Sequence, residues 1–200
     1  MDHFFPIVAG VNMDSLQISK VGKYSVSKPA DASEINRIIA KYFTHPETLV
    51  ITDATANNGG NTIRFALDFY KVSAIEIDLE QFNVLTNNVR VYGLTNVDIY
   101  HRDYLTVMAT LKQDVIFIDA PWGGVGYKTL SHIDLFLGRR NMVSVVVDIV
   151  RNKLCKLCVL KVPSNYNFAH LFSKLTHTKI DVYPIYKFVI VCINITYTPS

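Results

Sequence analysis

Residues 49–78 read LVITDATANNGGNTIRFALDFYKVSAIEID. Leu49 to Thr52 is a short β-branched run closed by an acid, Asp53. A loop carrying Gly59-Gly60 follows, and Asn61 can cap a helix that runs through Asp68. Val72 to Ile77 is then a second β-branched run. A strand, a crossover helix and a second strand in so short a span form a βαβ unit, whose strands are parallel.

The same alternation continues on the C-terminal side. Leu79 to Tyr92 predicts a helix with Phe82, Leu85 and Val89 on one face. Val97–Tyr100 and Asp114–Ile118 predict strands. The latter enters Asp119-Ala120-Pro121-Trp122-Gly123-Gly124. One or two helices are expected between residues 128 and 150, then a strand at Leu154–Val162 and a helix at Asn165–Thr176. Lys179–Tyr183 and Ile185–Ile195, with Pro184 between them, are placed to pair antiparallel at the end of the sheet. On the N-terminal side, Ile35, Ile38, Ile39, Tyr42 and Phe43 lie on one face of a helix over Ser33–Phe43. Asp31 or Ser33 can cap it and His45-Pro46 ends it. Residues 1–30, with Pro6, Gly10, Gly22 and Pro29, read as an irregular arm or lid. The expected organisation is therefore an arm over 1–30 and a single α/β domain over 31–200, with a mostly parallel sheet and helices on both faces.

Composition narrows the class. The chain has 200 residues, 50% hydrophobic and 18% charged, which suits one globular domain. A net charge of +3 allows a short anionic ligand without the basic stripe of a long nucleic-acid binder. Three cysteines, Cys155, Cys158 and Cys192, do not form a disulfide framework and point to a reducing compartment. The Cys155-x-x-Cys158 pair has no second pair to complete a zinc site, so buried cysteine is the simpler reading and no metal is expected. No signal peptide is read at Met1–Pro6, and Phe188–Ile195 is too short to span a bilayer. An intracellular protein, nuclear or cytoplasmic and off the membrane, is expected, acting as a monomer.

The chemistry-bearing residues fall at strand ends. Ligands of parallel sheets bind at the carboxyl ends of the strands, and Asp53, Glu76, Asp103 and Asp119 all lie there. The loop Asp53–Thr62, with its two glycines and a helix start, can cradle a nucleotide. Glu76 can accept from both ribose hydroxyls. Asp103 can accept from an adenine amine, and equally can cap a helix. Asp119 can accept a hydrogen bond from an exocyclic amine, Pro121 stiffens the turn, and Trp122 can offer a ring face to a purine. Arg139-Arg140 can line an RNA path or simply face solvent.

These motifs resemble the trimethylguanosine synthase family of RNA cap guanine-N2 methyltransferases. The family's first loop reads Asp-x-Phe-Cys-Gly-x-Gly-Gly-Asn-Thr-Ile-x-Phe-Ala. Asp53, Gly59, Gly60, Asn61, Thr62, Ile63, Phe65 and Ala66 match it. Asn87-Asn88, Val91-Tyr92-Gly93, Pro121-Trp122-Gly123-Gly124, Tyr127 and Tyr24-Ser25-Val26-Ser27 are similar to further family segments. The resemblance implies a Rossmann-like class I methyltransferase fold with a seven-stranded, mostly parallel sheet and an antiparallel C-terminal strand. It implies S-adenosylmethionine held by Asp53, Glu76 and Asp103, together with Thr55, Asn57, Gly59, Asn61 and Thr62 of the loop. It places 7-methylguanosine of a capped RNA end over Trp122, with Asn88 near the guanine and Ser25, Ser27 and Tyr127 near the cap phosphates.

Three departures stand out. Asn57 replaces the loop's first glycine, and Asp119 stands where many cap synthases have serine. Val162-Pro163-Ser164-Asn165 lacks the arginine of a Pro-Arg-Asn segment, which leaves phosphate contact to Lys161. Two rival functions follow from these residues: an adenine-N6 methyltransferase on DNA or RNA, and a catalytically inactive methyltransferase-like subunit.

Overall fold

The computed structural model describes residues 1–196, so the last four residues of the expected 31–200 domain lie outside the described residues. The main sheet has seven strands and is mostly parallel. The chain divides into two compact units, Met1–Gln113 and Asp114–Ser200.

In the first unit, a 3-10 turn at Met13–Ser15 and the short helix α1 (Gly22–Ser25) precede α2 (Pro29–Ala40). Then follow β1 (Val50–Asp53), α3 (Gly60–Asp68), β2 (Lys71–Glu76), α4 (Leu79–Val91), β3 (Val97–His101) and α5 (Tyr104–Val107). The strand order is β3-β2-β1, all parallel. Helix α2 begins four residues before the expected Ser33, because Pro29 occupies the first turn, where its fixed φ suits a helix and its missing N–H costs nothing. Its buried face is Ala32, Ile35, Asn36, Ile38 and Ile39. Asn61 does not cap α3. Gly59, at φ 96°, is the cap residue, and Asn61 lies inside the first turn. Asp78 caps α4 through the Gln81 amide.

The N-terminal stretch is tied into this unit. Phe5 and Leu16 pack with Ile63 and Tyr92, and the Tyr92 hydroxyl donates to the Pro6 carbonyl at 2.5 Å. The tightest approach is at Gly60. A methyl group there would lie 2.6 Å from Val26 Cγ2 and 2.7 Å from the Ser27 carbonyl oxygen.

The second unit contains β4 (Val115–Ile118), a 3-10 turn over Val125–Thr129, a small hairpin of β5 (Phe136–Leu137) and β6 (Arg140–Asn141), and α6 (Met142–Arg151). It continues with β7 (Leu157–Val162), α7 (Phe168–Lys174), β8 (Lys179–Ile185) and β9 (Phe188–Asn194). The strand order is β4-β7-β9-β8, with β4 and β7 parallel and β9 antiparallel to both its neighbours. Every residue of β4 and of β7 is buried, as expected for interior strands. The two-residue β5–β6 turn carries Gly138 at φ 58°, so residues 130–141 form loop and hairpin rather than helix. Pro184 falls inside β8 instead of between two strands. Strand β8 is last in the order, where a ladder tolerates a residue without an N–H.

Because the Gly60 contact includes main-chain atoms, Gly60→Ala forces the Val26-Ser27 segment away. Urea unfolding is expected to show a loss of about 1–3 kcal/mol. An unchanged midpoint would show that this approach does not constrain the fold.

Candidate functional site

The first unit gathers its acids at one rim. Strands β1, β2 and β3 are parallel and in register, with Asp53 beside Ala74 and Glu76 beside His101, so their carboxyl ends coincide. The loop after β1 folds across the end of β2. The Ala56 amide donates to the Ile75 carbonyl at 2.9 Å, and the Asn57 amide to Glu76 Oε2 at 2.7 Å. That turn requires a left-handed residue, and Asn57 supplies it at φ 50°. Asparagine enters this region more readily than most side chains.

Each expected residue in this unit now has a place. Asp53 is buried and accepts from the Thr62 hydroxyl at 2.7 Å and the Thr55 amide at 3.4 Å, so it braces the loop from beneath. Glu76 accepts a second amide, from Asp78 at 2.9 Å. Burial pushes its carboxyl above the ordinary value, and the amides of Asp78 and Asn57 pull the other way. Asp103 caps α5 through the Leu105 amide at 2.9 Å. Ser25 accepts from the Asn57 side-chain amide at 2.6 Å, and Ser27 from that of Asn61 at 3.0 Å. Both serines therefore fasten the N-terminal segment to the loop. Asn88 is fully buried. Its amide donates to the carbonyls of Gln17 and Asn58, each at 2.9 Å, and its oxygen accepts from the Gln17 amide at 2.8 Å. That saturation leaves it holding main chain, not facing a base.

The second unit carries the aromatic residues. Trp122 stands edge-on to Tyr127, with ring centroids 5.3 Å apart and planes at 81°. Both line a cavity of about 750 Å³, along with Pro121, Leu130, Ile133 and Phe136. Asp119 Oδ2 accepts from Lys161 Nζ at 2.7 Å in a pair largely shielded from solvent. Lys161 Nζ also lies 5.6 Å from the Trp122 ring centroid. Burial pushes the Asp119 carboxyl up, and the charge and hydrogen bond of Lys161 oppose that. Lys161, expected at the cap phosphates, is buried and engaged by Asp119 in this structure.

Comparison with known proteins now decides the family. A model of the RNA cap guanine-N2 methyltransferase family matches residues 48–194. The chain belongs to that family. An uncharacterized mimivirus protein is 34% identical over 73% of this chain and 58% of its own length. The trimethylguanosine synthase of Schizosaccharomyces pombe is 32% identical over 52% of this chain and 45% of its own. The chain thus spans about half the length of the curated relatives it matches. Among solved structures, a precorrin-6Y C5,15-methyltransferase from Geobacter metallireducens aligns with TM-score 0.62 at 14% identity, covering 94% of this chain and 98% of that one. A Streptococcus mutans protein solved with S-adenosylhomocysteine (SAH) gives TM-score 0.56 at 10% identity, over 84% and 99%. These likenesses show the fold, which is that of class I methyltransferases.

S-adenosylmethionine is the cofactor of this fold and family. The residues present fit it. Glu76 and Asp103 offer carboxylates at the ends of adjacent strands, suited to a ribose diol and an adenine amine. The loop also holds a buried polar atom, Asn57 Oδ1, that has no partner among the described residues. No group of His, Cys, Asp and Glu among the described residues is arranged to hold a metal ion. No described helix is long and apolar enough to cross a membrane. Burial pushes the Cys155 thiol up to about 12 and Cys158 well above its ordinary value, so neither is primed as a ligand or nucleophile.

Sequence reasoning missed three contributors. Asn58 is fully buried and links Ser19 to Gln81, with contacts of 2.9 Å to the Ser19 amide and 2.5 Å to Gln81 Oε1. Asn165 donates to the carbonyls of Tyr127 and Leu130 at 2.8 and 2.9 Å, fastening the aromatic loop. Lys161 proves to be the partner of Asp119. The signal available for the first two was an asparagine in a loop that follows a strand, a residue type prone to side-chain to main-chain bonds.

Glu76 yields a pH test. Its raised carboxyl takes a proton at a pH above the usual value for glutamate, and if Glu76 accepts from the ribose, protonation weakens that acceptor. SAH affinity is expected to fall as pH is lowered through that range. Glu76→Gln should weaken binding roughly tenfold at neutral pH and flatten the pH dependence in a calorimetric titration. A variant that keeps the wild-type pH profile would remove Glu76 from the cofactor site.

Proposed function

We propose that this chain transfers a methyl group to the exocyclic N2 amine of 7-methylguanosine in an RNA cap. The observation that carries the reading is Trp122. It is braced by Tyr127, lines an open cavity, and lies near an aspartate held by a buried lysine. A tryptophan face attracts a cationic purine such as 7-methylguanine.

S-adenosylmethionine, when bound, supplies an electrophilic methyl on sulfur. The chain's residues have three tasks. Asp53, Thr55, Asn57, Gly59, Asn61 and Thr62 shape the loop, and Glu76 and Asp103 anchor the nucleoside. Trp122 and Pro121 fix the plane of the base. Asp119 accepts an N–H of the amine and so raises electron density on a nitrogen whose lone pair is otherwise drawn into the ring. Oδ2 is engaged by Lys161, whose charge and hydrogen bond oppose the effect of burial and orient the carboxylate. Positioning of two reactants, without a covalent or metal intermediate, supplies most of the rate.

A second reading has one observation in its favour. Lys161 places a cation 5.6 Å from the Trp122 ring centroid, which reduces what a second cation gains there. A neutral base, adenine methylated at N6, does not suffer that repulsion. Calorimetric titration with SAH, followed by 7-methylguanosine-capped dinucleotide, separates the readings. Binding of both, with a dimethylated cap as product, is expected. Binding of SAH alone moves the acceptor to another base, and binding of neither by folded protein points to an inactive subunit.

Two variants sharpen the assignment. Trp122→Ala should raise KM for the cap about 10–100-fold and spare SAH binding; equal loss of both would refute stacking. The working form of Asp119 is the carboxylate, so activity is lost as pH falls through its raised value. Lys161→Met removes the opposing charge and should move the acid limb of kcat/KM to higher pH, whereas Lys161→Arg should largely restore it.

A further inference from the structure

The cavity beside Trp122 extends past what one base needs. Pro121, Trp122 and Tyr127 form one part of its lining, and Leu130, Ile133 and Phe136 form another. Leu130 is 55% exposed and Phe136 50% exposed, so these two side chains are open to a ligand, while Ile133 behind them is buried. A volume of about 750 Å³ lies in the upper part of the range of pockets that take ligands larger than a single nucleobase.

The β5–β6 hairpin supplies Phe136 to this lining and is firmly held. Arg140 pairs with Asp148 at 2.6 Å, and Asn141 caps α6 through the Val143 amide at 2.8 Å. Gly138 turns the chain at φ 58° and itself lines the cavity. Arg139 follows at the tip. It is exposed and makes no hydrogen bond or ion pair among the described residues. The structure thus separates two neighbouring arginines: Arg140 is a structural cation and Arg139 is available. Lys161 is bound to Asp119, so it is not the cation for a phosphate in this cavity. Asp134, the acid in the lining, is engaged by His170 Nδ1 and Asn167 Nδ2, each at 3.3 Å.

The hairpin thus brings a half-exposed ring that lines the cavity, Phe136, and an exposed guanidinium in the turn next to the lining residue Gly138, Arg139, a combination that suits a ligand with an aromatic face and a phosphate. We propose that the hairpin binds the nucleotide joined to the cap guanosine through its phosphate bridge, with Phe136 stacking on that nucleotide's base and Arg139 contacting its 5′ phosphate, the one bridge phosphate that 7-methylguanosine diphosphate lacks. This inference rests on the cap reading above and adds a second subsite to it. The chain then recognises a capped RNA end as a dinucleotide, not as an isolated methylated base.

The test compares 7-methylguanosine diphosphate with a 7-methylguanosine-capped dinucleotide, each titrated into SAH-loaded protein. The dinucleotide is expected to bind about tenfold more tightly, the gain from one stacked base and one phosphate contact. Phe136→Ala and Arg139→Ala should each erase most of that difference while leaving SAH and 7-methylguanosine diphosphate within twofold of wild type. The Arg139→Ala loss should shrink as ionic strength rises and the Phe136→Ala loss should not. Both residues are exposed, so neither change threatens folding. Equal affinity of the two ligands for wild type, or equal weakening of both by Phe136→Ala, overturns the second subsite while the cap reading stands. Failure of both ligands to bind SAH-loaded protein overturns the cap reading and the subsite with it.

Discussion

The Asn57 amide donating to Glu76 across 2.7 Å is the contact on which the first unit's site depends. Parallel strands deliver their carboxyl ends to one rim, and the polypeptide must leave each end by a loop. A loop at such a rim has no ladder to satisfy its amides. Here the Asn57 amide is satisfied by a carboxylate from the neighbouring strand, which also fixes the carboxylate. The arrangement requires a left-handed turn at Asn57 and another at Gly59. It also presses Gly60 against Ser27, so the N-terminal segment and the loop can be placed only together. Ser25 with Asn57, Ser19 with Asn58, and Ser27 with Asn61 then form three successive side-chain links along one loop.

The second unit solves a different problem. Asp119 follows directly on β4, all of whose residues are buried, so its carboxylate enters a poorly hydrated setting that favours the neutral form. A neutral acid is a weaker acceptor for an amine. Lys161 on the adjacent strand β7 offsets this with a full charge at 2.7 Å. Ion pairs of this kind contribute little net stability, and losing one partner is costly. What the pair provides is a charged, fixed acceptor near Trp122.

Much of this was legible in the sequence, and the limits have physical causes. The β-branched runs at residues 50–53, 72–76 and 115–118 announce buried parallel strands, because such strands carry apolar side chains on both faces. Asp119-Ala120-Pro121-Trp122-Gly123-Gly124 announces an aromatic loop, because tryptophan between proline and glycines has no regular element to pack within. The Asn61 expectation failed because the helix start was set by tertiary contact: Gly59 takes the left-handed cap position and frees Asn61 to reach Ser27. Asn88 and Lys161 were read by residue type, an amide for a base and an ammonium for a phosphate. Their partners, Gln17 and Asp119, are distant in sequence, and only the fold reveals that these side chains are already engaged. The β5–β6 hairpin was hidden for a simpler reason: strands of two residues have no period to detect.

The departures from the family pattern bear on whether the site is active. Asparagine in place of the loop's first glycine costs about 1 kcal/mol for the left-handed backbone, yet its side chain reaches Ser25 at 2.6 Å, a bond glycine cannot make. Aspartate in place of serine at position 119 introduces a charge that burial resists, yet Lys161 stands against it. A substitution that merely damages a site leaves strain or an unpaired charge behind. At two of the three departures, positions 57 and 119, the altered residue meets a polar partner positioned by another element of the same unit, Ser25 and Lys161. That pairing weighs against the inactive subunit and for a site in which the amine acceptor has been rebuilt around a carboxylate. A rebuilt acceptor of this kind shifts selectivity more readily than it removes activity, because a carboxylate can accept from any exocyclic amine that the stacked base presents. On the proposed reading, the choice among bases would then fall to Trp122 and the other residues lining the cavity, not to Asp119.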